Sequence, residues 1–523
     1  MASDNNTRAE TLDVAIIGAG LCGLQLATLL QPSGRRCAIF EARMRVGGRI
    51  LTLADGAIDI GPTWFWPRTQ PRMPQLVAAL GLSSFAQHDD GRVLFLDASA
   101  DPPRTMAAAD LHGGAQRLDG GMGRLTAALA QRLPAGTIRL QHRLRALVRR
   151  YDHIELHIQR GGETTAVHAR HVVLALPPRL AHETIHFTPE LPAPLRDALR
   201  ETLTWMASAA KAAMQYPAAF WREAGHSGNA FIGHPQAVLC EVFDACNPLD
   251  GRAALAGFFD LDPGQRQLLS PHLPRLLRGQ FAQLFGPAAA DGTLYHYDWA
   301  EDPLTCSALD RAEAVTMHPL YGDARLAAPQ WDGRLLIGGS ESAGRSGGYL
   351  EGALEAAARI AAQLASRTPP STGASGARNA ETECHRPEPA ADKEHPMART
   401  LTAFLQPNRV PDRVALQRAI DVLGRALALD AGDDPFATAG YRPCTLQGED
   451  AGFDLRIGET ADTGDGRMVQ LTFRWSGDPR EEAAACIVCA ALAAGFDARV
   501  QAGDATRSAE ALLATADACL ESF

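Results

Sequence analysis

Short apolar runs and longer amphipathic ones follow each other along this chain, and their order predicts most of its architecture. Residues 14–17 are four apolar residues in a row, the pattern of a strand buried on both faces. Residues 21–30 then space apolar side chains as a helix does, and residues 37–40 return to a short apolar run. Strand, helix, strand is therefore the first unit. Further on, residues 68–111 contain a helical stretch, PRMPQLVAALGL, and a short strand at 93–96. In LDGGMGRLTAALAQRL, residues 118–133, Gly120, Gly121 and Gly123 precede an amphipathic helix, and strands follow at 138–140, 146–149 and 154–158. The run VVLALPP at 172–178 reads as a buried strand stopped by two prolines. Strands at 212–216 and 253–260 and a helix near 275–284 lead to a last apolar run ending at Ile337, beyond which a helix opens.

The pattern breaks at residues 367–398, which are rich in Pro, Ser, Ala and charge and almost free of large apolar side chains. Such a stretch cannot bury a core, so it reads as a linker. Pattern resumes near residue 399. Residues 415–429 are helical, 453–459 and 468–475 alternate like paired strands, 481–495 are helical, 496–501 read as a strand and 508–520 as a closing helix. This tail is a separate small α+β domain with no pattern pointing to catalysis.

The first unit carries chemistry. Gly18-Ala19-Gly20-Leu21-Cys22-Gly23 is a full G-x-G-x-x-G between the first strand and the helix. Gly18 permits the sharp turn, Gly20 lets backbone approach a pyrophosphate, and Gly23 lets helix and strand pack closely. The helix N-terminus offers positive charge to phosphates. Glu41 ends the next strand, where a carboxylate can accept ribose hydroxyls. A dinucleotide is expected here.

Composition bounds the rest. The 523 residues predict two to four domains, and 46% apolar with 21% charged residues is ordinary for a globular protein. A net charge of −10 argues against nucleic acid as a partner. No stretch reaches about 18 uninterrupted apolar residues, so no membrane span is expected, and the polar start MASDNNTRAETLDV leads to a cytoplasmic expectation. The ten cysteines are scattered, which fits reduced thiols. Cys486 and Cys489 form a CxxC inside the alanine-rich helical stretch; with no second ligand pair, packing is the expected role and no metal site is expected.

The continuation of the first unit, EARMRVGGRI, closely resembles the flavin-containing amine oxidases, the family of monoamine oxidases, polyamine oxidases and histone lysine demethylases. The resemblance spans roughly residues 10–366 and implies an α/β fold: an FAD-binding Rossmann-like domain of the glutathione-reductase type, an interleaved α+β substrate domain, and the added C-terminal domain. The boundaries expected are 1–67, 112–185 and 325–366 for the FAD domain, 68–111 and 186–324 for the substrate domain, 367–398 for the linker and 399–523 for the tail. It implies FAD held by Gly18, Ala19, Gly20, Gly23, Glu41, Ala42, Arg43, Gly48 and Arg49. Asp59 and Gly61 match the family's D-x-G, which with Pro62 runs beside the isoalloxazine ring. Val148 matches a position that meets the adenine through its backbone. The C-terminal motif contributes Gly339, Glu341, Gly348, Tyr349 and Leu350, its helix N-terminus stabilising negative charge on reduced flavin.

Three residues are implied at the reacting end. Lys211 matches a lysine that in relatives holds a water near flavin N5, and Tyr349 aligns with the second tyrosine of an aromatic cage. Of the adjacent Trp64, Phe65 and Trp66, not all can point into one core, because neighbours on a strand alternate faces; Trp64 is the expected cavity wall. Counted from Trp299, the positions of the flavin-bonding cysteine and the first cage tyrosine fall on Ala308 and Leu309, with Cys306 two residues early. FAD is accordingly expected to be noncovalent, and a two-tyrosine cage is not. The reaction implied is oxidation of a small-molecule amine to an imine, with O2 reoxidising the flavin to give H2O2. An amino acid oxidase or desaturase of the same architecture stays open as an alternative. So does a flavin-holding scaffold whose tail, 399–523, binds a protein partner or a second copy.

Overall fold

The computed structural model describes residues 11–53, 58–97, 102–107, 110–248, 251–313, 318–366, 400–429, 436, 440–447, 449–459, 468–474, 479–502 and 505–520. Two compact units divide the chain between Thr372 and Gly373, and the expected linker 367–398 lies outside the described residues.

The first unit is built on two sheets that the chain visits in turn. In the first, strand Leu12–Ile17 pairs in parallel with Cys37–Phe40 on one side and Glu163–Leu174 on the other, and Leu335–Ile337 joins the far side of the latter. The register is what matters for function. Ile337, Leu174, Ile17 and Phe40 are successive partners, so all four parallel strands stop along one line. The loops leaving that edge begin Gly338-Gly339, Ala175-Leu176, Gly18 and Glu41. In open α/β sheets the crevice beyond such carboxyl ends is where ligands bind.

The second sheet has seven strands, two from residues 92–107 and five from 210–298. One face, with Ala212, Met214, Val242 and Leu255, packs on helix Leu273–Phe285 through Leu277 and Phe281. The other face carries Lys211, Phe258 and Glu241, which are register partners across three adjacent strands.

Two domain boundaries need correction. Helix Arg72–Ala79, assigned by sequence to the substrate excursion 68–111, buries Met73, Leu76 and Val77 in the core of the FAD-side unit with Leu125 and Leu129. Its first amides donate to the buried Glu351 carboxylate, at 3.0 Å from both Arg72 N and Met73 N. An anion at a helix N-terminus satisfies donors that have no partner in the helix. Strand His186–Thr188, placed past the boundary at 185, pairs with Ala146 to Val148 and completes the first sheet, and helix Ala193–Glu201 buries Leu195, Ala198 and Leu199 in that sheet's core.

In the second unit seven antiparallel strands form one sheet. Helix Pro479–Phe496 is buried without a break from Ala483 to Leu492, as a helix apolar all round must be. Cys486 and Cys489 lie in that core, their thiols raised by burial. The stretch 415–429 does not stay helical: helix Arg413–Val422 ends before Gly424, whose φ is +68°, and residues Leu427–Leu429 pair as a strand. Among the described residues no helix is long and apolar enough to cross a membrane.

Candidate active site

A cavity of about 430 Å³ opens beyond the carboxyl edge of the first sheet and reaches the Lys211 face of the second. Its near end is made of backbone. Gly18 turns at φ +103°, and a Cβ there would lie 2.6 Å from Ala175 O, so only glycine fits both the angle and the space. At Gly23 a Cβ would come within 2.0 Å of Gly18 O; this glycine packs helix to turn and does not line the cavity. Gly20 is the reverse, since a Cβ there would meet nothing within 4 Å. It caps helix Leu21–Leu30 with no side-chain partner, leaving the first amides pointed at open space.

The second glycine turn docks on the first. Gly47 N donates to Ala19 O at 2.8 Å, and Gly48 lies against Gly20. Glu41 is held by Ala19 N at 2.7 Å and Arg43 N at 2.8 Å, which fixes both carboxylate oxygens at the cavity wall with lone pairs to spare. Arg49 lines the cavity and ion-pairs at 2.6 Å with Glu341, which is fully buried behind it. Gly339 N donates to Cys22 Sγ at 3.3 Å, so the C-terminal motif seats directly on the first helix. Ala42, Gly61, Pro62, Gly348 and Leu350 also line the cavity, while Ala19 meets it only through its bond to Glu41. These features fit a flavin dinucleotide: an uncapped helix N-terminus for pyrophosphate, a fixed carboxylate for ribose, and glycines that leave room for both.

Val148 is the exception. It pairs with Glu155 and Thr188 well along strand Arg143–Arg149 and does not line the cavity. The opposite end of that strand does, through Arg143 and Leu144, together with His142. Sequence matching found the strand and missed the register.

The far end is made of side chains. Lys211 is 3% exposed on strand Ala210–Tyr216, yet it reaches the cavity. Its ammonium donates to Gly61 O at 2.6 Å, Thr63 Oγ1 at 2.7 Å and Asp59 O at 3.3 Å, so it straps the 59–63 segment to the second sheet. Burial pulls this lysine down to about 7, against the opposing pull of Asp59. Burial likewise raises Asp59, whose carboxylate accepts from Thr52 Oγ1 and from Met122 N at 2.9 Å.

Around Lys211 stand aromatic rings. Trp64 and Trp66 both line the cavity, whereas Phe65 between them is fully buried, the alternation a strand-like segment dictates. Trp64 packs on Phe243 with ring centres 4.5 Å apart, and its Nε1 donates to Gln87 at 2.8 Å. At the positions matched to the first cage residue, Ala308 and Leu309 open a short helix whose amides donate to Glu183, while Tyr349 lines the cavity. The Tyr349 ring stacks on His318, at 4.7 Å and 11°, and meets the edge of Trp66 at 6.4 Å. Cys306 is buried beside Ala207 and Ala300 and does not line the cavity.

Comparison with known proteins agrees with this geometry. The family model described as flavin containing amine oxidoreductase matches residues 93–365, and the NAD(P)-binding Rossmann-like domain matches residues 16–80. The chain belongs to the flavin-containing amine oxidoreductase family. A probable flavin-containing monoamine oxidase A of Dictyostelium discoideum is 22% identical, over 65% of this chain and 94% of that one. Amine oxidase [flavin-containing] B of Sus scrofa is 24% identical, over 65% and 83%. A wild-type putrescine oxidase solved with putrescine bound superimposes with a TM-score of 0.57 at 20% identity, covering 68% of this chain and all of that one.

Two groups at this amine oxidoreductase's site escaped sequence reasoning. Residues Pro303, Leu304 and Thr305 line the cavity because Arg43 clamps their loop, through Asp302 at 2.8 Å and Thr305 Oγ1 at 2.9 Å. Trp205 and Met206 line it from the turn before Lys211's strand. Trp64 alone was expected at the wall, and Trp66 joins it by the same period of two; a clamp across some 260 residues leaves no local signal.

Proposed function

We propose that this enzyme is an FAD-dependent amine oxidase that holds its cofactor noncovalently and favours amines bearing a second cationic nitrogen. The observation that carries the reading is one cavity running from Glu41 to Lys211 and Tyr349, so that a dinucleotide seated at one end presents its far ring to a lysine-and-aromatic chamber. Bound FAD would supply the redox chemistry, a two-electron oxidation of the carbon bearing the amine with O2 as final acceptor to give H2O2, and the imine would hydrolyse in water. The chain's own residues position and exclude. Lys211 fixes the 59–63 backbone and presents a proton-bearing nitrogen to the chamber; Trp64, Trp66 and Tyr349 give it dry walls that hold the amine in line.

Amino acids are poorly served by this site. The cavity-lining arginines among the described residues are Arg43, ion-paired with Asp302, Arg49, ion-paired with Glu341, and Arg143 beside His142, which leaves no guanidinium at the Lys211 end for a substrate carboxylate. Noncovalent attachment rests on Cys306, which is buried away from the cavity with its thiol raised by burial to about 11. The preference for a second cation rests on Glu241, which does not itself line the cavity but lies next to Phe258, which does. Glu241 is Phe258's register partner, as Phe258 is Lys211's, so its Cα lies about 10 Å from that of Lys211 on the same face. The row continues outward to Phe231 and Phe95, whose rings stack at 5.7 Å. An apolar track with one carboxylate suits a flexible chain with ammonium at its trailing end.

The test is the visible spectrum of the purified protein. Acid precipitation should release the flavin into solution. Under anaerobic conditions monoamines and diamines should bleach the flavin band, diamines at lower concentration, and amino acids should not. A protein without flavin, or a flavin that no amine bleaches, would overturn the proposal.

A further inference from the structure

His112, behind the cavity wall, joins both cavity-lining tryptophans to Glu241. His112 accepts Trp66 Nε1 on its backbone oxygen at 2.8 Å and packs its ring on Trp64 at 4.9 Å. Its Nδ1 lies 2.7 Å from Asp89 Oδ1, its backbone N donates to Asp89 Oδ2 at 3.1 Å, and its Nε2 lies 3.9 Å from Glu241 Oε1. Side-chain exposure is 9% for His112 and 11% for Asp89, so the pair is sheltered. Asn229 Nδ2 donates to Asp89 at 3.0 Å and holds the carboxylate in place. Among the described residues, the charged groups bearing on this array are Asp89 from the 87–90 loop, Glu241 from strand Leu239–Asp244, and Lys211, which acts on Glu241 from its own strand.

We infer that His112 is a pH-sensitive positioning residue: anchored by Asp89 on one nitrogen and facing Glu241 with the other, it sets how much of Glu241's charge a substrate's second ammonium can use. The inference rests on the amine-oxidase reading above and extends it. With the imidazole neutral, Nδ1–H donates to Asp89 and Nε2 turns a lone pair toward Glu241, whose negative charge then has the substrate ammonium as its free partner. With the imidazole protonated, Nε2–H supplies a cation at 3.9 Å, and Glu241 is already compensated. Asp89 holds the ring from the other side. Its own carboxyl, which burial would raise, is held below the ordinary value by the hydrogen bonds from His112. Burial raises Glu241, so its charge is the more sensitive to a neighbour.

The experiment compares a diamine with the monoamine of equal chain length, by anaerobic flavin reduction from pH 6 to 8, the range in which imidazoles titrate. The ratio of diamine to monoamine kcat/KM should rise about tenfold with pH, carried by KM. In H112N the rise should vanish from this range. In D89N, which keeps the ring but removes the anion behind it, the rise should move to lower pH; this variant decides the matter if H112N does not fold. A rise that persists unmoved in both variants, or a ratio flat in the wild type, overturns the inference. If neither amine reduces the flavin at any pH, the amine-oxidase reading falls first and takes this one with it.

Discussion

The two ends of the cavity are built on different principles. The dinucleotide end is backbone: an uncapped helix N-terminus, glycine turns bonded to each other, and one carboxylate fixed by two amides. Most of its parts lie within residues 18–49. The substrate end is side chains: Lys211, Phe258 and Glu241 share a row but come from three strands, with Trp64, Trp66 and Tyr349 added from elsewhere. Backbone sites tolerate almost no change in shape, whereas side-chain sites tolerate change at a cost in selectivity. Each prediction below bears on that contrast.

Loss of the cofactor itself should come from a change at the first end. Gly23→Ala puts a methyl group within 2.0 Å of Gly18 O, a backbone atom that cannot swing aside. Overpacking of this kind costs about 1–3 kcal/mol, and here it displaces the turn that faces the pyrophosphate. FAD content, read as the ratio of flavin to protein absorbance, should fall at least tenfold and Tm should drop. A variant that purifies fully yellow would show that the turn is more compliant than its geometry implies.

Lys211→Met acts at the junction of the two ends. It removes three hydrogen bonds that strap the 59–63 segment but leaves the glycine turns intact, so FAD should stay bound while turnover or reoxidation slows by about a hundredfold. The same variant carries a pH signature. Lys211 sits at about 7 in the folded protein and near its ordinary 10.5 when unfolded, so between these values the unfolded chain binds more protons and folding gains as pH rises. The Tm of the wild type relative to Lys211→Met should therefore increase from pH 7 to pH 9. Unchanged oxygen and substrate kinetics would remove the lysine from the mechanism, and a Tm difference independent of pH would place its proton elsewhere.

The contrast also explains what could be read in advance. A strand, a glycine turn, a helix and an acid within about thirty residues is a local pattern, so the roles of Gly18, Gly20, Gly23 and Glu41 could be argued from spacing alone. The interleaving of two sheets was visible in outline, but its edges were not. Helix Arg72–Ala79 belongs to the core of Leu125 and Leu129, and the carboxylate holding its N-terminus, Glu351, is some 280 residues away. Val148 failed for a related reason: a strand fixes its ladder partners by pairing, and a match on the strand says nothing of which residue meets the crevice. His318 under Tyr349, the Arg43 clamp on the 302–305 loop and the His112 array all join segments that no local pattern connects.

Glu241→Gln is the subtlest of these tests and bears most directly on the substrate end. The substitution keeps size and hydrogen-bonding capacity and removes one charge, so the strand Leu239–Asp244 should fold unaltered. A hydrogen bond to a charged partner contributes about 1.5–3 kcal/mol, which corresponds to a factor of roughly ten to a hundred. A side chain 31% exposed to solvent places the effect at the lower figure: the diamine to monoamine ratio of kcat/KM should fall about tenfold, and should do so through KM, because binding a remote ammonium helps ground state and transition state alike. A fall in kcat instead would mean that the carboxylate acts on the reacting end, and the row from Lys211 to Glu241 would then be one reaction chamber with no separate outer subsite.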